Sequence, residues 1–156
     1  MKQEDYMQYA FDEAFRGMRN NEGGPFGAVI VADGKIIGRG HNRVIATNDP
    51  TAHAEVVAIR EACKNANAFH IPDAVLYATC EPCPMCLAAI YWANIKTVYY
   101  CSEKNDAAQI GFDDKFIYDE LDKPINERAM KMERMNLPVA IELFNEWNNK
   151  QDKTPY

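Results

Sequence analysis

Two cysteines, Cys83 and Cys86, lie three positions apart in a proline-rich segment, Glu81–Cys86. Where such a segment begins a helix, side chains three residues apart lie close together, so both thiolates can bind one metal ion. Two thiolates provide only half of the tetrahedral coordination that zinc prefers. The chemistry of this segment therefore depends on which residue supplies a third ligand and on whether the fourth position is open.

A third ligand is available in the segment Asn48–Glu55, where His53 lies near the predicted start of another helix. One imidazole and two thiolates form a borderline-soft set of donors that suits zinc. Three protein ligands leave the fourth position for a water molecule, which is typical of a catalytic rather than a structural site. Zinc lowers the pKa of bound water to about 7, so that hydroxide is available at neutral pH.

Glu55 lies two residues after His53 and has the position expected of a proton carrier. Its carboxylate can reach the bound water without occupying the metal, take a proton from it, and return protons to the substrate nitrogen and the leaving amine. His-x-Glu followed by Pro-Cys-x-x-Cys is the signature of zinc-dependent nucleobase deaminases, and this chain contains both halves. The sequence therefore predicts a catalytic zinc site made by His53, Cys83 and Cys86.

A structural zinc-binding module is the alternative from a different class of protein. A Cys-x-x-Cys pair taken alone more often indicates a structural zinc site or a redox pair than a catalytic site. Cys80 or Cys101 could supply a fourth thiolate, and a site closed in this way would have no turnover. The joint presence of both motifs, each on its own predicted helix behind a strand, favours the catalytic site.

The elements that must position these residues follow from the spacing of apolar side chains. The pattern predicts a helix over residues 4–20, a hairpin of strands over 27–32 and 36–42, a helix over 52–67, a strand over 74–79, a helix over 85–93, and strands over 96–101 and 137–141. The alternative for the last segment is a helix that includes residues 142–149. The strand, helix and strand around the cysteine segment form a βαβ unit, so those two strands are expected to be parallel. The predicted fold is a single α/β domain over residues 1–156, with three α/β/α layers and a central mixed sheet of about five strands.

Composition restricts the partners of the protein. A chain of 156 residues can bury the core of one domain, and no apolar run approaches the roughly 20 residues that span a bilayer. A net charge of −6 disfavours nucleic acid, because a phosphate backbone requires clustered Lys and Arg. Five cysteines, an odd number, without a secretory signal argue for reduced thiols and predict a cytoplasmic protein.

The two motifs, Asn48–Glu55 and Glu81–Cys86, resemble those of the cytidine and deoxycytidylate deaminase superfamily. Within that superfamily the chain is most similar to the small bacterial guanine deaminases, over nearly its whole length. The segment Gly111–Asp114 and the short tail that ends in Tyr156 are the parts that favour guanine. The resemblance implies a cytidine-deaminase-like fold, one zinc ion per chain, and hydrolysis of guanine to xanthine and ammonia by zinc-bound hydroxide at C2.

Four further side chains acquire a role from this resemblance. Asn42 would hydrogen-bond the purine, because a buried amide offers both a donor and an acceptor. Phe26 would contact the ring face, where an aromatic side chain suits a flat base. Asp114 is expected to be a second carboxylate near the departing amine, with the adjacent Asp113 as the alternative. Tyr156 is expected to contribute to the binding of the substrate.

The resemblance also implies a homodimer whose small-molecule partner is a purine base. Residues 142–156 are expected to be exchanged between subunits, so that Trp147 and Tyr156 anchor the tail over the partner's site. Without the resemblance, the polar segment between these two aromatic residues is typical of a disordered terminus.

The tRNA adenosine deaminases are the nearest alternative, because they share both metal motifs and the run Asp49–Glu55. Such enzymes usually continue after the second motif with a strand and a basic stretch, rich in Gly and Ala, that holds the anticodon loop. This chain has the segment Tyr99–Asp106 there, and its net charge is negative, so both features disfavour RNA. Cytosine or another small base is a further alternative within the same chemistry.

Overall fold

The computed structural model describes every residue from Met1 to Tyr156, and the chain divides into two units, residues 1–116 and residues 117–156. The elements are α1 (Gln3–Arg19), β1 (Gly27–Ala32), β2 (Lys35–His41), α2 (Val44–Thr47), α3 (Ala54–Ala66), β3 (Val75–Cys80), α4 (Pro84–Trp92), β4 (Thr97–Ser102), α5 (Lys104–Gln109), α6 (Lys115–Leu121), a 3-10 turn (Ile125–Glu127) and α7 (Val139–Asn149). None of these helices has the length and apolar composition that crossing a membrane requires.

The central sheet of the first unit has the strand order β2-β1-β3-β4. β1 pairs antiparallel with both β2 and β3, whereas β3 and β4 are parallel. The hairpin between β1 and β2 turns at Asp33 and Gly34, whose φ angles of 49° and 71° are of the kind that a type I′ turn requires. The predicted mixed sheet and its parallel βαβ unit are therefore confirmed.

Helices cover both faces of this sheet, as a three-layer fold requires. On one face α1 packs against β1 and β3 through the buried residues Tyr6, Ala10, Val29, Val31 and Tyr77. On the other face α3 and α4 contribute to a core that includes Ala54, Ala58 and Ala62 of α3. Because these side chains are small, α3 can approach the sheet closely.

Two glycines of β2 set the distance between α3 and the sheet. A Cβ atom at Gly38 would overlap the carbonyl oxygen of Ala58, and one at Gly40 would overlap that of Ala54. The backbone of α3 therefore lies directly on β2. The first turn of α3, which carries two of the predicted site residues, is fixed by this contact.

The predicted edge strand over residues 137–141 is wrong, and the sheet has four strands rather than about five. The helix α7 begins there instead, directly after Pro138. Proline is tolerated in an edge strand, but its fixed φ and missing N–H suit the start of a helix equally well. The apolar residues that follow, Leu143, Phe144 and Trp147, have the spacing of one helix face, which favours a helix over a strand in this segment.

The second unit contains no buried residue. The following large apolar side chains in it are exposed: Ile117, Leu121, Ile125, Met130, Met132, Met135, Leu137, Val139, Ile141, Leu143, Phe144, Trp147 and Tyr156. Local order comes from Arg128, whose guanidinium donates to the carbonyl oxygens of Glu120, Leu121 and Lys123 at the end of α6. An exposed apolar set of this size is typical of a surface that another chain covers.

Candidate active site

Three side chains of the first unit converge on one point: His53, Cys83 and Cys86. The Nδ1 atom of His53 lies 3.5 Å from the Sγ atom of each cysteine, and all three ligand atoms lie within 4.8 Å of one another. In a tetrahedral zinc site, bonds of about 2.3 Å to sulfur and about 2.1 Å to nitrogen would separate those two atoms by about 3.6 Å. The three donors therefore fit a zinc ion in both chemical type and spacing.

Neither Cys80 nor Cys101 belongs to this group. The thiol of Cys80 is directed to the carbonyl oxygen of Glu103 at 3.7 Å, and Cys101 is exposed on β4. Burial raises the pKa of Cys80 to about 11, which opposes the thiolate form that a metal ligand needs. The first unit thus offers three protein ligands, as an open coordination shell requires.

The donors lie at the N-termini of two helices. His53 is the N-cap residue of α3, and Cys83 is the N-cap residue of α4, which begins with Pro84. Cys86 follows in the first turn of α4, where its backbone N–H donates to the Sγ atom of Cys83 at 3.5 Å. The free N–H groups and the dipole at a helix N-terminus favour negative charge, so this position stabilises thiolates.

The two thiols influence each other strongly. The pKa of Cys83 is lowered to about 4, because hydrogen bonds from the Cys86 thiol and from His53 outweigh the effect of burial. The pKa of Cys86 is raised, because its thiol donates to Cys83 and is also buried. Coordinated thiols are deprotonated, so the binding of zinc would release the proton that the two sulfur atoms share.

Glu55 lies in the first turn of α3, and only 8% of its surface is exposed. A hydrogen bond with Cys86 places its carboxyl group beside the metal donors. Burial raises the pKa of Glu55, and the negative charge of Cys83 acts in the same direction. A carboxyl group with a raised pKa takes up and releases protons closer to neutral pH, as a general acid and base must.

Phe26 and Asn42 are held side by side, because the backbone N–H of Asn42 donates to the carbonyl oxygen of Phe26 at 3.1 Å. Asn42 is buried, and its Oδ1 atom accepts a hydrogen bond from the N–H of Val44 at 3.1 Å. That bond leaves the amide NH₂ group as a donor for a ligand. The ring of Phe26 packs edge-on against Phe112, with 5.0 Å between the ring centroids.

The environments of Asp113 and Asp114 differ. Asp113 is exposed, and its carboxylate accepts a hydrogen bond from the backbone N–H of Lys115 at 2.9 Å, at the start of α6. Asp114 is half-buried, and burial and the negative charge of Cys83 together raise the pKa of its carboxyl group. Asp114 is thus the more buried of the two carboxyl groups, and the charge of Cys83 acts on it.

Seven of the eight predicted site residues lie in the first unit. Hydrogen bonds and electrostatic effects link five of these seven: His53, Glu55, Cys83, Cys86 and Asp114. Phe26 and Asn42 form a second, backbone-linked pair. Tyr156, the eighth residue, lies in the second unit, and 76% of its surface is exposed.

No role was predicted from the sequence for Glu13, Glu22 and His41, which form a hydrogen-bonded cluster next to Asn42. One signal was present in the sequence. Glu13 lies three residues after Ala10 on the apolar face of α1, and a charged residue on a buried face is rare unless it is paired. The structure shows that Glu13 is 6% exposed and paired.

An open zinc site combined with a buried proton carrier is the arrangement of a hydrolytic metalloenzyme. The order along the chain, with Glu55 between the histidine and the two cysteines, is that of zinc-dependent deaminases. The family model of the cytidine and deoxycytidylate deaminase zinc-binding region matches residues 1–102. The chain belongs to this family, and the resemblance predicted from the two motifs is confirmed.

Individual relatives resemble the chain over its full length. It is 51% identical to the guanine deaminase of Bacillus subtilis (strain 168) over 156 residues, which cover 100% of both chains. It is 36% identical to the tRNA-specific adenosine deaminase of Aquifex aeolicus (strain VF5) over 151 residues, or 96% of each chain. The X-ray structure of Bacillus subtilis guanine deaminase matches with a TM-score of 0.97 over 100% of this chain and 99% of that one, at 51% identity. The predicted fold class is therefore confirmed.

Proposed function

We propose that this protein is a zinc-dependent guanine deaminase, which converts guanine and water to xanthine and ammonia. The observation that supports this function most directly is the full-length similarity to a guanine deaminase in both sequence and structure. Further support comes from three potential metal donors whose ligand atoms lie within 4.8 Å of one another, and from a buried glutamate hydrogen-bonded to one of them. Hydrolysis at an sp² carbon needs such a combination of a Lewis acid and proton carriers.

One zinc ion per chain would be held by the Nδ1 atom of His53 and the Sγ atoms of Cys83 and Cys86, and the fourth position would be left to a water molecule. The sulfur–nitrogen spacing of 3.5 Å supports this assignment. When bound, zinc supplies the Lewis acidity that makes a water nucleophile available near neutral pH. The five reduced cysteines suit a reducing compartment, so the enzyme acts in the cytoplasm.

Glu55 moves the protons of the reaction. Its carboxylate accepts a proton as the water oxygen forms a bond to C2 of guanine, and it donates a proton to N3 of the ring. It then carries the second water proton to the exocyclic amine, so that the C2–N bond breaks and ammonia leaves. Burial raises the pKa of Glu55, so its carboxyl group can both accept a proton and donate one near neutral pH. Asp114 accepts a hydrogen bond from the departing amine.

Asn42 and Phe26 bind the base. The NH₂ group of Asn42, left free by the bond from Val44 to Oδ1, donates to an acceptor atom on the purine edge. Phe26 contacts the ring, since an aromatic side chain packs well against a flat base. The backbone bond between the two residues fixes the relative position of these contacts.

The enzyme is a homodimer in which residues 142–156 of one chain pass to its partner and bring Trp147 and Tyr156 over the partner's site. Support comes from the second unit, in which no residue is buried. The first unit adds the exposed aromatic residues Tyr91, Trp92 and Tyr100. Apolar surfaces of this kind are usually buried in an obligate interface.

Adenosine in tRNA is the competing substrate, because a tRNA-specific relative also matches nearly the whole chain. The start of α5 disfavours RNA, since its N-cap residue Glu103 and its first-turn residue Asp106 are both acidic. A net charge of −6 disfavours RNA as well. Both features favour a free purine base over nucleic acid as the partner of this enzyme.

One assay tests the function: purified zinc-loaded protein is incubated with guanine, adenine, cytosine or an RNA anticodon hairpin, and ammonia is measured. We expect release with guanine and, for Glu55→Gln, a loss of about 10²- to 10⁴-fold with the zinc content unchanged. Ammonia from the hairpin alone would make the protein a tRNA deaminase. One zinc per chain with no activity on any substrate would instead indicate a structural zinc module.

A further inference from the structure

His41, the last residue of β2, is buried between two carboxylates. Its Nδ1 atom lies 2.9 Å from Oε2 of Glu13, and its Nε2 atom lies 2.9 Å from Oε2 of Glu22. Glu13 belongs to α1, and Glu22 belongs to the loop that follows this helix. The imidazole ring therefore connects the end of β2 with two separate points in the N-terminal part of the chain.

Each ring nitrogen of His41 has a carboxylate partner of its own. An ionised carboxylate only accepts hydrogen bonds, so the ring can donate to Glu13 on one side and to Glu22 on the other. The remaining carboxylate oxygens are also satisfied. Arg16 donates to both oxygens of Glu13 at 2.6 and 2.7 Å, and the Nε atom of Arg43 donates to Oε1 of Glu22 at 3.2 Å. A buried polar cluster with every bond formed is held in one place.

The close contacts on both sides leave this cluster little room to move. A Cβ atom at Gly17 would overlap the His41 ring, and a Cβ atom at Gly23 would overlap the Oδ1 atom of Asn42. The carbonyl oxygen of Glu22 accepts hydrogen bonds from the backbone N–H groups of Ile45 and Ala46 at 3.1 and 3.0 Å. Glu22 therefore holds the chain on both sides of Asn42. Its side chain bonds to His41, which precedes Asn42, and its carbonyl oxygen bonds to Ile45 and Ala46, which follow.

Adjacent residues in extended chain point to opposite faces of a sheet. The ring of His41 lies against α1, where it contacts Gly17 and Glu13. The next side chain, Asn42, is directed differently, with Oδ1 bonded to the N–H of Val44. A cluster on the α1 side of β2 thus holds the backbone from which the proposed substrate amide projects.

We propose that His41, clamped by Glu13 and Glu22, is a positioning residue that sets the orientation of the Asn42 amide toward the purine and so determines the affinity for the base. This proposal rests on the proposed deaminase function and deepens it. His41 does not touch the substrate, and it acts on binding rather than on proton transfer. The zinc donors and Glu55 lie on α3 and α4, which pack on the other face of the sheet.

The test compares His41→Gln with wild type and with His70→Ala, a matched control that removes a histidine outside the cluster. We expect His41→Gln to raise KM for guanine about 10- to 100-fold, because the Asn42 contact is lost from bound substrate. We expect kcat to fall less than about threefold, with zinc content unchanged. His70→Ala should leave both constants within about twofold of wild type.

A second pair of variants, at Glu22, tests the proposal even if His41→Gln does not fold. Glu22→Leu removes the acceptor for Nε2 of His41 from a loop position, and we expect the same selective rise in KM. Glu22→Gln retains an acceptor oxygen and should recover most of the affinity.

The outcomes separate the two proposals. No release of ammonia from guanine by the wild type would contradict the guanine deaminase function itself. Wild-type turnover combined with an unchanged KM in His41→Gln and Glu22→Leu, or a fall in kcat alone, would overturn the positioning role. A lower melting temperature without a change in KM would also overturn it, because the cluster would then be merely structural.

Discussion

Carboxyl groups near the metal donors differ in burial, and their burial distinguishes what each can do. Glu55 is buried beside Cys86, so its pKa is raised and it suits proton transfer. Asp114 is half-buried, and burial together with the charge of Cys83 raises its pKa. Asp113 is exposed and already bonded to the N–H of Lys115. The proposed second carboxylate is therefore Asp114.

Substitution of the two aspartates provides a matched comparison at this scale. We expect Asp114→Asn to lower kcat for guanine about 10²-fold, because the departing amine loses a charged acceptor. We expect Asp113→Asn to change kcat less than about threefold, since an exposed amide still accepts from the N–H of Lys115. Steady-state kinetics at saturating guanine measure both, and an equal loss in the two variants would contradict the assignment.

The sequence predicted the zinc donors and Glu55 because metal chemistry restricts both residue type and local spacing. It could not separate Asp113 from Asp114, because the difference lies in burial and in the charge of Cys83, which is remote in sequence. It also gave no indication that His41 bridges two glutamates, since that contact joins α1, a loop and β2. Only the folded chain brings those three segments together.

The charge of Glu13 makes stability depend on pH. Burial alone would raise the pKa of Glu13, but hydrogen bonds from Arg16 and His41 outweigh burial and lower it below 4.5. A carboxyl group with a lowered pKa stabilises the fold fully above its unfolded value, and this stabilisation is lost as the pH falls through the folded pKa. Glu13 should therefore contribute at neutral pH and cease to contribute in acid.

Urea unfolding of wild type and Glu13→Gln checks this prediction. We expect the variant to be less stable by about 1–3 kcal/mol at neutral pH, because charged hydrogen bonds to Arg16 and His41 are weakened. The difference should begin to shrink as the pH falls below 4.5, the unfolded value, where wild type takes up a proton. A difference that stayed constant down to about pH 3 would show that Glu13 has the same pKa in the folded and unfolded states, which would contradict the prediction.

At the scale of elements, the site depends on how closely α3 lies on β2. Gly38 and Gly40 leave no space for a side chain between the strand and the helix backbone. The helix begins directly after His53, so a displacement of its first turn would move a zinc donor. The predicted helix boundary at Ala52 was close, but the close packing could not be predicted, because it depends on the pairing of strand glycines with helix alanines.

Gly40→Ala tests this dependence. The added Cβ atom would overlap the carbonyl oxygen of Ala54, and we expect a loss of about 1–3 kcal/mol of stability together with weaker zinc binding. Gly34→Ala is the matched control: its φ of 71° strains alanine, but the nearest atom is the Tyr6 hydroxyl at 3.8 Å. The control should lose stability and retain zinc affinity in a chelator competition. Equal zinc affinity in the two variants would show that the packing of α3 on β2 does not affect zinc binding, which would contradict the prediction.

At the scale of the whole molecule, the two units differ in burial. The first unit has a core on each face of its sheet, whereas the second unit has none. A segment without a core gains little from folding alone, because ordering each residue costs about 1–2 kcal/mol of conformational entropy. The apolar residues of α7 are exposed, and one sequence cannot specify whether its own chain or a second copy covers them. The proposed homodimer with an exchanged tail would supply that cover.

Complementation between two inactive chains tests the exchange. The first chain is full-length with Glu55→Gln, and the second has an intact metal site but lacks residues 149–156. If the tail of one chain completes the partner's site, a mixed dimer contains one competent site: the metal site of the second chain and the tail of the first. We therefore expect each chain alone to be inactive and the co-expressed pair, purified by two different affinity tags, to recover up to about half of the wild-type activity per dimer.

If the tail acts on its own chain, the mixed pair should remain inactive, because the only chain with Glu55 would then lack Tyr156. Activity of the truncated chain alone would show that the tail is dispensable, which would remove Tyr156 from the proposed site. The matched control pairs the truncated chain with a full-length chain that carries both Glu55→Gln and Tyr156→Ala. Loss of the recovered activity in that pair, with dimer mass and zinc content unchanged, would identify Tyr156 as the group that the partner contributes.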